Sequence, residues 1–211
     1  MLQIIIRIAV FIPLIIIILH TVVRIVRFFY KFPMPQFLAN IIDNPLRRAI
    51  QPPSETAIRH GLKKGMKVLE VGPGNGRYTI AAAKVLGSDG MIVTIDIEKK
   101  MIERVIKRVR QENITNVHAE VADVYKLPYE DSCFDIVYMI AVINEIPDHK
   151  RALKEFHRVL KKDGVLVFIE LLMDPDYPPA KFLIKILQSN RFKLNEKIGN
   201  IFYYTLKFNK V

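Results

Sequence analysis

Beyond residue 53 the chain alternates between short β-branched apolar runs and stretches whose apolar positions recur every three to four residues. The runs at 67–71, 91–97, 117–121, 134–140 and 165–171 read as strands. The stretches at 78–86, 98–111, 149–160 and 180–188 read as helices, since their period keeps one helical face apolar. Gly164, just past the third of these helices, reads as its stop signal. Two last runs, 192–197 and 202–207, are joined through Ile198-Gly199-Asn200, too short a link for anything but an antiparallel hairpin. Strands alternating with helices imply parallel βαβ units and an α/β, doubly wound sheet. Such a sheet places its ligand beyond the carboxyl ends of the strands, where the strand order reverses.

The first 53 residues obey a different pattern. Residues 8–23 are apolar apart from His20 and Thr21, and residues 4–6 extend the run backwards past Arg7. Sixteen helical residues cover about 24 Å, short of a hydrocarbon core near 30 Å, and adding residues 2–6 makes up the length. Arg7 would then snorkel to the headgroups, and Pro13 is tolerated in a membrane helix. A spanning helix, a helix set in one leaflet and a cleaved signal peptide compete. The last is weakest, because the apolar run leads into no small-residue cleavage site. It leads instead into Arg24, Arg27 and Lys31 among Phe28, Phe29 and Tyr30, a mixture suited to the membrane–water interface. The expectation is a membrane-anchoring helix with its basic-aromatic flank over 1–31, spanning slightly ahead of single-leaflet insertion, which would hold the adjoining domain on the cytoplasmic side. Pro33, Pro35, Pro45, Pro52 and Pro53 make 32–53 a linker of short helical pieces, which could equally form part of a lid over the acceptor site, and 54–211 the folded domain.

Charge obeys the same division. The net +11 separates into +7 over 1–65, −2 over 66–180 and +6 over 181–211, so the basic ends face some anionic surface, membrane or nucleic acid. Cys133 is the only cysteine, which excludes an intrachain disulfide and a multi-cysteine metal site, and reads as an inert thiol. No metal site is expected.

Chemistry concentrates at Val68-Leu69-Glu70-Val71-Gly72-Pro73-Gly74-Asn75-Gly76-Arg77. A strand ends there and the chain must turn sharply while a ligand approaches its backbone, which glycine permits. A dinucleotide fingerprint would need a glycine at Arg77, and here Gly76 comes one residue early. Glu70, just before the turn, would repel a pyrophosphate and suit an ammonium or sulfonium. Asp96 ends the second strand, where a carboxylate can accept from both ribose hydroxyls, or merely cap the next helix. Asp123 ends the third strand, where it could accept from an adenine amino group while the Val124 amide meets a ring nitrogen, or serve only as a turn residue. Three carboxylates at three successive strand ends make the case that none makes alone.

These segments, with Asp96-Ile97-Glu98, with Ala122-Asp123-Val124-Tyr125-Lys126-Leu127-Pro128-Tyr129 and with Arg158-Val159-Leu160-Lys161-Lys162-Asp163-Gly164, resemble the successive motifs of class I S-adenosylmethionine-dependent methyltransferases. The subgroup they look most like is the small-molecule enzymes similar to ubiquinone and menaquinone methyltransferases. The resemblance covers 53–211 and leaves the N-terminal segment outside. It implies a Rossmann-like sheet of seven strands in the order 3-2-1-4-5-7-6, with S-adenosyl-L-methionine as cofactor. Glu70, Gly72, Gly74 and Gly76 would meet its methionine end, Asp96 with Ile97 the ribose, Asp123 with Val124 the adenine, and the backbone near Ala141 the amino-acid moiety.

The acceptor side departs from the family. Asn144 and Glu145 stand where relatives often carry two histidines, which argues against a histidine base. Asn144 could orient an acceptor and Glu145 take a proton, though helix capping and a surface salt bridge account for the pair as well. Tyr78 could cover the sulfonium or be a core aromatic. The Asn-Pro-Pro-aromatic motif of many amino and nucleobase methyltransferases is absent, making nucleic acid an unfavoured partner. The leading expectation is methylation of a lipophilic, membrane-resident acceptor: a quinone, a polyprenyl compound or a phospholipid headgroup. A non-catalytic membrane-bound cofactor-binding module, a nucleic-acid methyltransferase and, more distantly, a dehydrogenase are the alternatives.

Overall fold

The computed structural model describes residues 2–30 and 45–211, with side chains except at positions 2–10, 12, 13, 16, 17, 28 and 46. Lys31 and most of the proline-punctuated linker lie outside the described residues.

Seven strands form one sheet in the order β3-β2-β1-β4-β5-β7-β6: β1 (Lys67–Val71), β2 (Met91–Asp96), β3 (Val117–Val121), β4 (Phe134–Ile140), β5 (Leu160–Leu171), β6 (Phe192–Gly199) and β7 (Tyr203–Lys210). β7 runs antiparallel to both β5 and β6, and the other pairs are parallel. This is the order the resemblance implies, and its reversal between β1 and β4 creates the crevice where the site forms. The central strands are apolar on both faces. Leu69, Val71, Val93, Ile95, Met139 and Phe168 pack into one core, and Val68, Ile92, Ile136, Val167 and Ile169 into a second across the sheet. The alternation of neighbours between the two cores is the two-residue strand period at work.

The helices bury the faces that their periodicity marks. α1 (Leu2–Phe29), α2 (Pro45–Ile50) and α3 (Pro53–Arg59) precede the sheet. α4 (Arg77–Leu86) buries Ile80, Ala83 and Leu86. α5 (Lys99–Gln111) buries Met101, Ile102 and Val105. α6 (His149–Val159) buries Ala152, Leu153, Phe156 and Val159, and Asp148 caps it by accepting from the Arg151 amide at 3.0 Å. α7 (Ala180–Gln188) buries Leu183 and Leu187.

Two expectations need correction. Gly164 does not end a helix with a loop behind it. β5 starts at Leu160, directly after α6, and its pairing with β4 jumps from Phe134↔Leu160 to Ile136↔Val165. Gly164 closes that bulge, where a Cβ would come within 2.9 Å of Leu160 Cδ2 and 3.0 Å of the Lys161 carbonyl oxygen. The second correction concerns the N-terminus. Residues 2–29 are helical, yet among the described residues no helix is long and apolar enough to cross a membrane. Where its side chains are described, one side of the helix carries a polar stripe. His20 Nε2 lies 3.1 Å from the Met173 carbonyl oxygen, Arg24 donates to the Tyr177 carbonyl at 3.0 Å, and Arg27 pairs with Glu145 and Asp176. The arginines read as an interfacial flank are seated on the protein instead, Arg27 almost wholly buried.

Candidate active site

A cavity of about 380 Å³ opens at the carboxyl ends of β1 to β4, within the usual size of small-molecule sites (~300–1,000 Å³). Its floor is the β1–α4 turn. The Gly72 amide donates to the Ile95 carbonyl at 2.9 Å and so ties the turn to β2. Gly72 sits at φ +70°, and a Cβ there would come within 2.5 Å of Val142 Cγ2, so the floor closes only over glycine. Gly74, at φ +55°, would point its Cβ into open space, which leaves room for a ligand against the backbone. Gly76 does not line the cavity. It caps α4 at φ +78°, and its bare Cα lets Val105 of α5 approach.

Glu70 lines the cavity but is buried, and its carboxylate accepts from the Thr79 hydroxyl under the turn. Burial raises its pKa, with Thr79, Tyr138 and Thr94 pulling the other way through hydrogen bonds. It braces the turn from below.

Asp96 and Asp123 stand on the cavity wall with one oxygen each engaged. Asp96 Oδ1 accepts from the Glu98 amide at 2.9 Å, and Asp123 Oδ1 from the Tyr125 amide at 2.8 Å. Both make the local Asx turn that the capping alternative foresees, and Asp96 also takes a hydrogen bond from the Ile97 amide. Burial pushes the Asp96 pKa up to about 6, against the Glu98 amide, which lowers it. A half-desolvated carboxylate of this kind gains much from paired hydroxyl donors. Ile97 and Val124 also line the wall. Ala141 holds φ +56°, unusual for a residue with a Cβ, and borders the same space beside Val142. The cradle fits S-adenosylmethionine: a bare turn for the methionine end, a carboxylate for the ribose and a second for the adenine.

The opposite wall carries Tyr78, Arg47, Glu145, Ile146 and Pro147. Asn144 does not line the cavity, because its side-chain amide donates to the Asp176 carbonyl. Glu145 Oε1 receives Arg27 at 3.0 Å, in a pair whose side chains are 6% and 15% exposed. The Tyr78 hydroxyl donates to the Gln51 carbonyl at 3.1 Å. Arg47 is the residue that sequence reasoning missed. Buried and paired with Asp174 at 2.8 Å, it also reaches the Tyr78 hydroxyl. Burial works to lower its pKa, and Asp174 with Tyr78 more than offsets this. Its only sequence signal is a doubled arginine in a proline-rich stretch, which reads as linker charge. Cys133 is a free thiol, away from the cavity, with its pKa raised chiefly by burial.

Comparison with known proteins agrees with this geometry. A family model described as a methyltransferase domain matches residues 62–209. Demethylmenaquinone methyltransferases of Staphylococcus aureus are similar over 110 residues, or 52% of this chain: the protein of strain MRSA252 is 41% identical and that of strain Newman 40%. The chain spans about half the length of these relatives, 45% in each. Among solved structures, a SAM-dependent methyltransferase from Aquifex aeolicus superposes with a TM-score of 0.79 at 22% identity, covering 85% of this chain and 100% of that one. One from Methanosarcina mazei gives 0.62 at 21% identity, covering 73% and 97%. At those identities the likeness concerns the fold. The match across the greater part of the chain carries more: the chain belongs to the methyltransferase-domain family.

Proposed function

We propose that the chain methylates a lipophilic small molecule drawn from a membrane, and that among the expected classes a quinone-type ring fits best. The observation that carries this reading is the cavity itself. The space bordered by the cofactor residues is also walled by Tyr78, Val142, Ile146 and Pro147, whose apolar surface is interrupted by the Tyr78 hydroxyl, the Arg47 guanidinium beside it and Glu145, which is paired with Arg27. An aromatic acceptor would bury its ring against that wall and turn an acidic hydroxyl toward Arg47. The name of the staphylococcal relatives supports the same substrate class.

Bound S-adenosylmethionine supplies a methyl carbon made electrophilic by its sulfonium. The protein's work is to align an acceptor with that carbon and to exclude water. The carbon–sulfur bond breaks as the acceptor's electron pair forms the new bond, and the acceptor's proton leaves to solvent. Arg47 would hold the acceptor as its anion, which lessens the need for a base. Glu145, whose oxygen is engaged by Arg27, positions this wall in the proposed scheme. On this reading the domain works at the cytoplasmic face, attached through α1.

The test is transfer of a labelled methyl group from S-adenosylmethionine to a total lipid extract, and to a short-chain demethylated quinol, with mass spectrometry of the products. Label on the quinol, lowered at least tenfold by Arg47→Met, is the expected result. Label on RNA or DNA with none on any lipid would overturn the reading.

A further inference from the structure

The stripe by which α1 meets the domain, His20, Arg24 and Arg27, occupies one side of the helix. At 3.6 residues per turn the opposite side carries Phe11, Ile15, Ile18, Val22, Ile25 and Phe29. Each of them is exposed, from 50% at Val22 to 71% at Phe29. The flanks between the two stripes are apolar too except at Thr21, with Leu14, Leu19, Val23 and Val26 all in contact with solvent. The apolar surface continues onto the domain. Beside the place where His20 lands, Met173, Ile201 and Phe202 are 48%, 72% and 61% exposed. They are tied to the same spot: Leu172 donates its amide to the Phe202 carbonyl, and the Tyr177 hydroxyl donates to the Ile201 carbonyl. The turn between β6 and β7 thus presents two large apolar side chains where a soluble hairpin tip usually carries polar ones.

We propose that the outer side of α1 and the Met173/Ile201/Phe202 knob form one docking surface for an anionic bilayer, with the helix lying in the interfacial plane and the knob as a second insertion point. The inference rests on the reading of a membrane-drawn acceptor and adds to it a contact made by the catalytic domain itself. Two observations choose a bilayer over a second copy of the chain. A helix pairing through a seam keeps that seam narrow and flanks it with charge, whereas from residue 11 to 29 α1 carries no charge outside the stripe that meets the domain, and Thr21 is the one polar residue on its flanks. Charge points the same way, since residues 181–211 hold seven lysines and arginines against one acid, and Lys193 and Lys197 are exposed on the edge strand leading to the knob.

Co-sedimentation of the full chain with vesicles tests this, using phosphatidylcholine alone and phosphatidylcholine with phosphatidylglycerol. The full chain should bind the mixed vesicles more tightly and remain bound at high salt. The double variant Ile201→Asp/Phe202→Asp should bind them at least tenfold more weakly, with S-adenosylmethionine affinity unchanged as the control for folding. Ile18→Asp/Val22→Asp should weaken vesicle binding by a similar factor. Wild-type binding by the knob variant would overturn the proposal. So would a full chain that ignores vesicles and sediments as a dimer that Ile18→Asp/Val22→Asp dissociates. The functional reading fails separately: vesicle binding as expected, with neither lipid nor short-chain quinol methylated, leaves the docking surface standing and removes the acceptor.

Discussion

The two halves of the cavity are built by different means. The cofactor half consists of strand ends whose key contacts are local: Asp96 with Glu98, Asp123 with Tyr125, Asn75 with Arg77, each two residues apart. The acceptor half is assembled from afar, Arg27 reaching Glu145 across 118 positions and Arg47 reaching Asp174 across 127. The first can be read from a motif because the motif is the structure. The second depends on where an N-terminal segment lands, and on charges that are useful only once water has been excluded from them. On the proposed reading, one fold therefore holds a donor site fixed by backbone geometry and an acceptor wall fixed by buried ion pairs.

If the halves are independent, damage to one should leave the other intact. The largest effect is expected from Arg27→Ala, which leaves Glu145 and Asp176 without their buried cation. It should cost about 3–5 kcal/mol in urea unfolding and most of the acceptor turnover. S-adenosylmethionine affinity by calorimetry should stay within about twofold, below the ~1.4 kcal/mol that a tenfold change represents. A parallel fall in cofactor affinity would break the comparison. Next is Asp96→Ala, which removes a pair of charge-assisted hydrogen bonds at about 1.5–3 kcal/mol each, so that cofactor binding falls at least about tenfold. The stability of the acceptor half should not respond.

The pH dependence sharpens the same contrast. In the folded protein Asp96 titrates near 6, above its ordinary 3.8, so burying it as a carboxylate costs stability. That cost is full above pH 6, shrinks as pH falls through 6 toward 3.8, and is gone below. Asp96→Asn should accordingly raise the Tm of the ligand-free protein at neutral pH and lose the advantage in acid. Cofactor affinity of the parent chain should drop below pH 6, where the carboxylate takes up a proton, and the Asn variant should show a flat, weak profile. The smallest effect is expected from Asp148→Ala, which removes the cap of α6 next to the acceptor wall. Thermal unfolding should register a loss of about 1 kcal/mol, with cofactor affinity unchanged.

The same division sets how far the sequence could be read. The strand order, the glycine turn and the three strand-end carboxylates were legible because each is a local pattern repeated at the right place in a βαβ chain. A strand's period tells which face Glu70 takes, but not that the Thr79 hydroxyl waits on that face. Gly164 carries a stop signal that a bulge uses equally well. Arg24 and Arg27 look like the flank of a membrane helix until the domain supplies Glu145, Asp176 and the Tyr177 carbonyl. Arg47 had no periodicity to mark it at all.

Ala141 bears on how such an enzyme can change over generations. An L-residue held at φ +56° costs roughly 1–2 kcal/mol, and the neighbouring Val142 fits only because Gly72 has no side chain to meet it. Few replacements at 72, 141 or 142 leave the floor passable, so mutational drift is blocked there. Ile146 and Pro147 line the same cavity without such backbone strain. Lineages that acquire a new acceptor should therefore do so by rewriting the wall, while the floor keeps the same donor.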